Sequence, residues 1–437
     1  MPRFHYKLLL VVSVLSVNVA RIAWGQDALR LSWSESLKMA TENNPELLAA
    51  KETLRAVELQ ENAALSGFLP QISASLSHSK TNSSFVGGGG GIPLGGASDT
   101  REVTMAQLNG TWNLFSGFQD MGRYEQAKAN TRAQLAQLQN TKARISADLK
   151  IAYQGLLYAQ SFVTLTNEIV KRRQENLRLV ELRYESGLEN RGSVLLSQAN
   201  YEQAKYDNIV AENAVRVSSS QLARVLGVDE AHKLEIYDPV PIHDQNLNAK
   251  PDFQKAVLLN PEVLLAEAQE VLAKQSLRVS RSTFMPSLNL TGSTGRMRVV
   301  DDPNDRTTWS IGLNLSFPLF NGGQDYYGIK ASSAQLSAAS STLENMRRSV
   351  LAQIERAYAA YVESIAKLRV DKSFRDATTI RSEISKKRYN NGLITFDDWN
   401  IIEDDLILRQ KSYLQSVRER VVAEATYEQT LGQGAIQ

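Results

Sequence analysis

No cysteine occurs among the 437 residues, which excludes disulfides, thiolate metal sites and cysteine nucleophiles. Histidine is nearly as scarce. Beyond His5 near the start, only His78, His232 and His243 remain, and none is spaced as a metal ligand on one helix. No cofactor, no metal and no enzymatic activity are expected. The GGGGG run at 87–91 lacks the lysine and Ser/Thr of a phosphate loop, so it reads as a flexible hairpin loop. Neither charge sign dominates, which gives no reason to expect nucleic acid as a partner.

Long apolar runs are also missing, except at the N-terminus. There Arg3 and Lys7 precede the 13-residue stretch Leu8–Ala20, followed by Ala23 and Gly25 at the small positions before a cut. This is the pattern of a secretory signal over residues 1–25, too short for a spanning helix. Its removal takes Arg3, Lys7 and Arg21, leaving 46 basic against 47 acidic residues, a net charge of −1. The mature chain has no cysteine to acylate, so any membrane insertion is expected to use strands.

What is present is written twice. NNPELLAAKETL at 43–54 returns as LNPEVLLAEAQEVL at 259–272, and SGFLPQISASLS at 66–77 returns as STFMPSLNLTGS at 282–293, both 216 residues on. NLFSGFQD at 113–120 returns as PLFNGGQD at 318–325, now 205 residues on. Tyr153 and Tyr358, Arg183-Tyr184 and Arg388-Tyr389, and Leu226-Gly227 and Leu431-Gly432 keep that second offset. The difference of 11 falls between 78 and 112, where the first copy carries FVGGGGGIPLGG, an insertion in a loop. The chain therefore divides into a first repeat over 26–227, a proline-containing linker over 228–255 and a second repeat over 256–437.

Proline is absent from 94 to 238 and after Pro318. Those stretches are rich in Ala, Gln, Leu, Lys and Arg, which favour helix. The segment from Gln119 to Tyr184 alone predicts a helix of ~100 Å at 1.5 Å per residue. A 3-4 spacing from Leu135 through Leu138, Ile145, Leu149, Leu156 and Val163 gives it a coiled-coil-like seam, interrupted by Lys142 and Thr166. The second copy keeps a weaker seam through Leu343, Val350, Ile354 and Tyr361. Shorter helices are expected over Pro45–Gly67 and Ser193–Leu226; end to end they match the height of the long one.

Four segments alternate instead: about 71–80, 103–114, 287–300 and 308–317. WSIGLNLSF puts Trp309, Ile311, Leu313, Leu315 and Phe317 on one face, and Ser310, Gly312, Asn314 and Ser316 on the other. An apolar outer face, a small polar inner face and terminal aromatics (Trp112, Phe115, Trp309 and Phe320) suit membrane barrel strands, although a soluble sandwich also alternates. Four strands cannot close a barrel alone, since the smallest have about eight. Either they form a small hairpin pair, or several chains share one barrel.

In this duplicated order the chain resembles the TolC family of outer-membrane channel proteins. The marks are the two NPE starts, Phe68-Leu69-Pro70 and Phe284-Met285-Pro286, Phe115-Ser116-Gly117 and Phe320-Asn321-Gly322, and the two RYxxG turns. The resemblance implies a mixed α and β fold. Long helices form an α-helical barrel, and four strands per chain contribute to a trimeric 12-stranded β-barrel. It further implies an exit duct of a tripartite efflux pump or type I secretion system. Its partners would be an inner-membrane transporter, a periplasmic membrane fusion (adaptor) protein and outer-membrane lipid. The site is the outer membrane of a Gram-negative bacterium, with a large periplasmic portion. A periplasmic coiled-coil structural or adaptor protein is the alternative.

The resemblance places the turns at Gly187 and Gly392 at a periplasmic tip, and the 228–255 linker at the equator of the helical barrel. Asp398, six residues after Gly392, falls where relatives carry a constriction aspartate; three copies would ring the axis and attract cations. Asp405 shares its helix face and offers a second ring, whereas Ile401 stands where some relatives have one. Thr395-Phe396-Asp397-Asp398 equally reads as a helix cap, which needs no pore. Arg388 and Tyr389 are candidates for pinning the closed tip, with Arg388 also suited to the helix C-terminal dipole.

Overall fold

A computed structural model describes residues 29–84, 98–229, 234–241, 251–299 and 305–436. The expected signal at 1–25, the GGGGG loop, His232 and His243 lie outside the described residues. After a short strand β1 (Leu29–Leu31) come helices α1 (Trp33–Asn43) and α2 (Pro45–Ala64). Strands β2 (Gln71–Ser84) and β3 (Ser98–Phe115) lead into α3 (Gln119–Glu185) and α4 (Arg191–Leu226). Strand β4 (Leu234–Ile236) then precedes α5 (Phe253–Leu259), α6 (Pro261–Ser282), β5 (Ser287–Val299), β6 (Arg306–Ser316), α7 (Gln324–Asn390) and α8 (Phe396–Thr430).

Helices α3 and α7 each run for 67 residues, or ~100 Å. The seam of α3 buries Leu138, Ile145, Leu149, Leu156 and Thr166. Leu135, expected to begin it, is instead 46 % exposed. Thr166 fits the seam by bonding its hydroxyl to Phe162 O at 3.0 Å and Asn208 Oδ1 at 2.8 Å. The helix expected to reach Gly67 ends at Ala64 and tightens into a 3₁₀ turn over Leu65–Phe68.

The NPE marks have a structural cause. Asn44 caps α2 by accepting from the backbone N–H of Glu46 and Leu47, while its amide donates to Val225 O at 2.8 Å near the end of α4. Asn260 does the same for α6, accepting from Glu262 N and donating to Thr430 O at 2.8 Å near the end of α8. Each asparagine thus splices two short helices end to end alongside a long one. Gly227 (φ 70°) lies against Asn43 and Asn44 at the first splice.

At that level β1 and β4 pair in parallel, Leu29 opposite Leu234. Leu31, Leu149, Tyr153, Leu156, Leu222, Leu226 and Leu234 form one buried cluster there. Tyr153 is fully buried, stands edge-on to Trp33 and donates to Asp238 O at 2.7 Å. Burial, with Asp238 beside it, pushes its phenol up to about 12. Part of the 228–255 segment is therefore built into the core between α3 and α4.

Strands β2, β3, β5 and β6 form an antiparallel sheet in that order. In this register, Leu76 faces Ala106, Leu108 faces Thr294, Leu290 faces Leu313 and Leu288 faces Leu315. Ser75 opposite Gln107, Thr111 opposite Thr291 and Ser293 opposite Ser310 occupy the other face.

Candidate functional site

Both long helices end in the same motif. Gly187 (φ 73°) and Gly392 (φ 70°) adopt the left-handed conformation; the next N–H, of Leu188 or Leu393, returns 2.8 Å to the carbonyl of Arg183 or Arg388. That closes a Schellman-type end. The following helices are capped by Asn190, which accepts from Ser193 N at 3.0 Å, and by Thr395, which accepts from Asp398 N at 3.1 Å.

From there the two turns diverge. Tyr389 is fully buried, stacked on Trp399 with ring centroids 4.4 Å apart and 10° between planes. Phe396 and Val180 complete the cluster. Arg183, from the other hairpin, holds its guanidinium 4.6 Å over the Tyr389 ring and donates to Tyr389 O at 3.0 Å. The Tyr389 hydroxyl donates to Glu189 Oε2 at 2.9 Å, and Ser193 Oγ donates to Glu189 Oε1 at 2.9 Å. Burial, reinforced by the Glu189 carboxylate, raises the Tyr389 phenol above its usual value. The corresponding Tyr184 is 44 % exposed, and Arg388 is exposed in the last turn of α7.

Asp397 and Asp398 are both exposed in the first turn of α8. Asp398 Oδ2 accepts from Thr395 Oγ1 at 2.7 Å, a second bond beside the backbone cap. Asp405 is engaged within its own chain, 3.1 Å from Arg409 Nε and 3.8 Å from Arg381. Sequence reasoning missed Glu403, which is 1 % exposed and accepts from Asn176 at 3.2 Å, Arg172 at 3.4 Å and Ser382. Its neighbour Asp404 pairs with Arg173. The adjacent Arg172-Arg173 and Glu403-Asp404 pairs were the available signal.

The apolar sheet face is bare: Ile72, Leu76, Trp309, Ile311, Leu313 and Leu315 are each at least 64 % exposed. Trp309 lies towards the β5–β6 connection. Trp112, Phe115 and Phe320 lie at the helix end, where Trp112 Nε1 donates to Phe68 O at 3.0 Å. Eight positions take the chain from Trp309 to Phe317, about 26 Å of extended backbone. At the ~40° tilt of barrel strands that is about 20 Å of height, most of the ~25 Å apolar band of an outer-membrane barrel. Among the described residues no helix is long and apolar enough to cross a membrane, and no acidic or histidine cluster could hold a metal ion.

A family model described as outer membrane efflux protein matches residues 36–228 and 253–433. Alkaline protease secretion protein AprF of Pseudomonas aeruginosa is 23% identical over 354 residues, 79% of this chain and 72% of that protein. Outer membrane protein TolC of Vibrio cholerae is 25% identical over 341 residues, 75% of this chain and 74% of that protein. In fold, the chain is similar to the outer-membrane channel OprN (TM-score 0.80, 18% identity, covering 92% of this chain and 90% of that one). It is likewise similar to the outer membrane protein VceC of Vibrio cholerae (TM-score 0.79, 18% identity, 92% and 96%).

Proposed function

The chain belongs to the outer membrane efflux protein family, and from that membership we propose that three copies assemble into one passive exit duct. Its seat is the outer membrane and its tunnel the periplasm. The observation that carries this reading is the four-stranded sheet, with one apolar face exposed and, among the described residues, β2 and β6 each paired on one side only. An isolated sheet with such a face and two free edges invites association. Joining β6 of one copy to β2 of the next closes a 12-stranded barrel whose apolar side meets lipid and whose Ser, Thr, Asn and Gln side lines water. The two chain halves, as internal repeats, then supply equivalent staves of a helical tunnel ~100 Å long.

The duct does no chemistry of its own. It receives cargo from an inner-membrane transporter through a periplasmic adaptor that docks near the hairpin tips, as in a tripartite efflux pump or type I secretion system. AprF is named for protease secretion and BepC of Brucella suis for efflux; both cargo classes suit a duct whose selectivity resides in the pump. Asp398, exposed at the tip, supplies one carboxylate per copy to a ring around the axis.

The test is mass and conduction together. The detergent-extracted protein is expected to contain three chains by light scattering and to open ion-conducting pores in planar bilayers. A monomer stable without detergent, or a trimer that never conducts, would refute the duct.

A further inference from the structure

Within one chain the hairpins are joined by Arg183 of the first copy and Tyr389 of the second, the guanidinium 4.6 Å above the ring. The duplicated Arg-Tyr unit leaves one half of each copy unused: Tyr184, 44 % exposed, and Arg388, also exposed. α3 packs on α8, while Leu195, Tyr206 and Val217 of α4 and Ile380 and Ile384 of α7 stay exposed. Those residues, with Arg388, belong to the two helices left at the outer sides of the four-helix slab.

We propose that the occupant of these two sides is a second copy of this chain, and that Arg388 of one copy covers Tyr184 of the next. This rests on the three-copy reading above. In a closed ring the boundary from first to second copy within a chain alternates with the boundary from second to first copy between chains. Moving each residue by 205 positions converts one boundary into the other: Arg183 becomes Arg388, Tyr389 becomes Tyr184, and the α3–α8 contact becomes α7 on the neighbour's α4.

The same shift shows that the two clasps are unequal. Glu189, which accepts from the Tyr389 hydroxyl, is replaced by Ile394; Trp399, on which Tyr389 stacks, is replaced by Val194. The contact between chains keeps the cation over the ring but loses the carboxylate and the indole beneath it. It is the weaker of the two, so the tip parts between chains before it parts within one.

The absence of native cysteine makes the test clean. Tyr184→Cys with Arg388→Cys, in the full chain, is treated with a short bis-maleimide and run on a denaturing gel. Linked dimers and trimers are expected, with neither single variant giving any. Glu175→Cys with Lys386→Cys, across an ion pair of 3.3 Å within one chain, is expected to link without raising the mass. Three-chain particles by light scattering that yield no links between chains overturn the clasp alone. Particles of one chain overturn the three-copy reading and the clasp with it.

Discussion

The phenol of Tyr389 donates to Glu189 Oε2 at 2.9 Å, fastening the end of α7 to the turn that follows α3. A hydrogen bond to a charged acceptor contributes about 1.5–3 kcal/mol, worth about tenfold or more in the balance between joined and parted hairpins of one chain. Tyr389→Phe keeps the stack on Trp399 and removes only this bond. It is expected to raise open-channel occupancy in single-channel recordings, and Glu189→Gln to do so less. A recording indistinguishable from the parent protein would mean that the tip is held elsewhere.

Asp398 has two separable roles. Its backbone N–H completes the Thr395 cap, and its carboxylate is exposed, bonded on one oxygen by Thr395 Oγ1. Asp398→Ala keeps the N–H and deletes the charge. Reduced cation preference in the reversal potential is expected, with little change in melting. Thr395→Ala should show the reverse pattern: about 1 kcal/mol of lost stability and unaltered selectivity. Equal selectivity in both variants and the parent would remove the acid from the pore.

The long helices were legible because proline absence and Ala/Leu/Gln/Lys/Arg content act locally, and the α3 start at Gln119 follows from its NLFSGFQD turn. The strand faces were legible because alternation is a property of neighbouring residues. Which tyrosine of the two RYxxG turns is buried was not. That is decided by the next helix, where Tyr389 meets Phe396 and Trp399 while the first copy offers Arg191 and Val194. The seam likewise gave one face of α3, yet α3 touches α2, α4, α6 and α8. Lys150 is therefore buried on a face that a single heptad pattern assigns to solvent.

Two glycines with the same backbone conformation should respond differently to alanine. Gly187 (φ 73°) and Gly227 (φ 70°) both carry the left-handed strain of about 1–2 kcal/mol for a residue with a Cβ. At Gly187 a Cβ meets nothing within 4 Å, whereas at Gly227 it collides with the Asn43 carbonyl at the α2–α4 splice. Gly187→Ala should melt slightly below the parent, and Gly227→Ala far lower or not fold at all. Matching melting temperatures would refute the close splice.

Lys150 Nζ lies 2.9 Å from Glu424 Oε1 and 3.0 Å from Glu428, with the Lys150 and Glu424 side chains only 6% and 4% exposed. Removing one partner strands a buried charge, at about 3–5 kcal/mol. Lys150→Met is expected to lower the melting temperature sharply. Adding Glu424→Leu should restore much of the loss. Failure of the second substitution to rescue would show that the lysine acts by packing rather than by charge.

Alkali supplies a test of the buried phenols. Tyr153 is pushed up to about 12 from an ordinary 10.0, and Tyr389 is raised in the same direction. A raised folded value means that the unfolded chain loses its phenolic proton first. The stabilisation is complete below pH ~10 and fades as pH rises through the folded value, with an upper bound near 2–3 kcal/mol for Tyr153. Melting temperature should thus fall more steeply above pH ~10 than below it. Tyr153→Phe starts lower, having lost the bond to Asp238 O, but has no phenol to ionise there. Its curve between pH ~10 and ~12 should be flatter than the parent's, and parallel curves would place the alkaline transition in other groups.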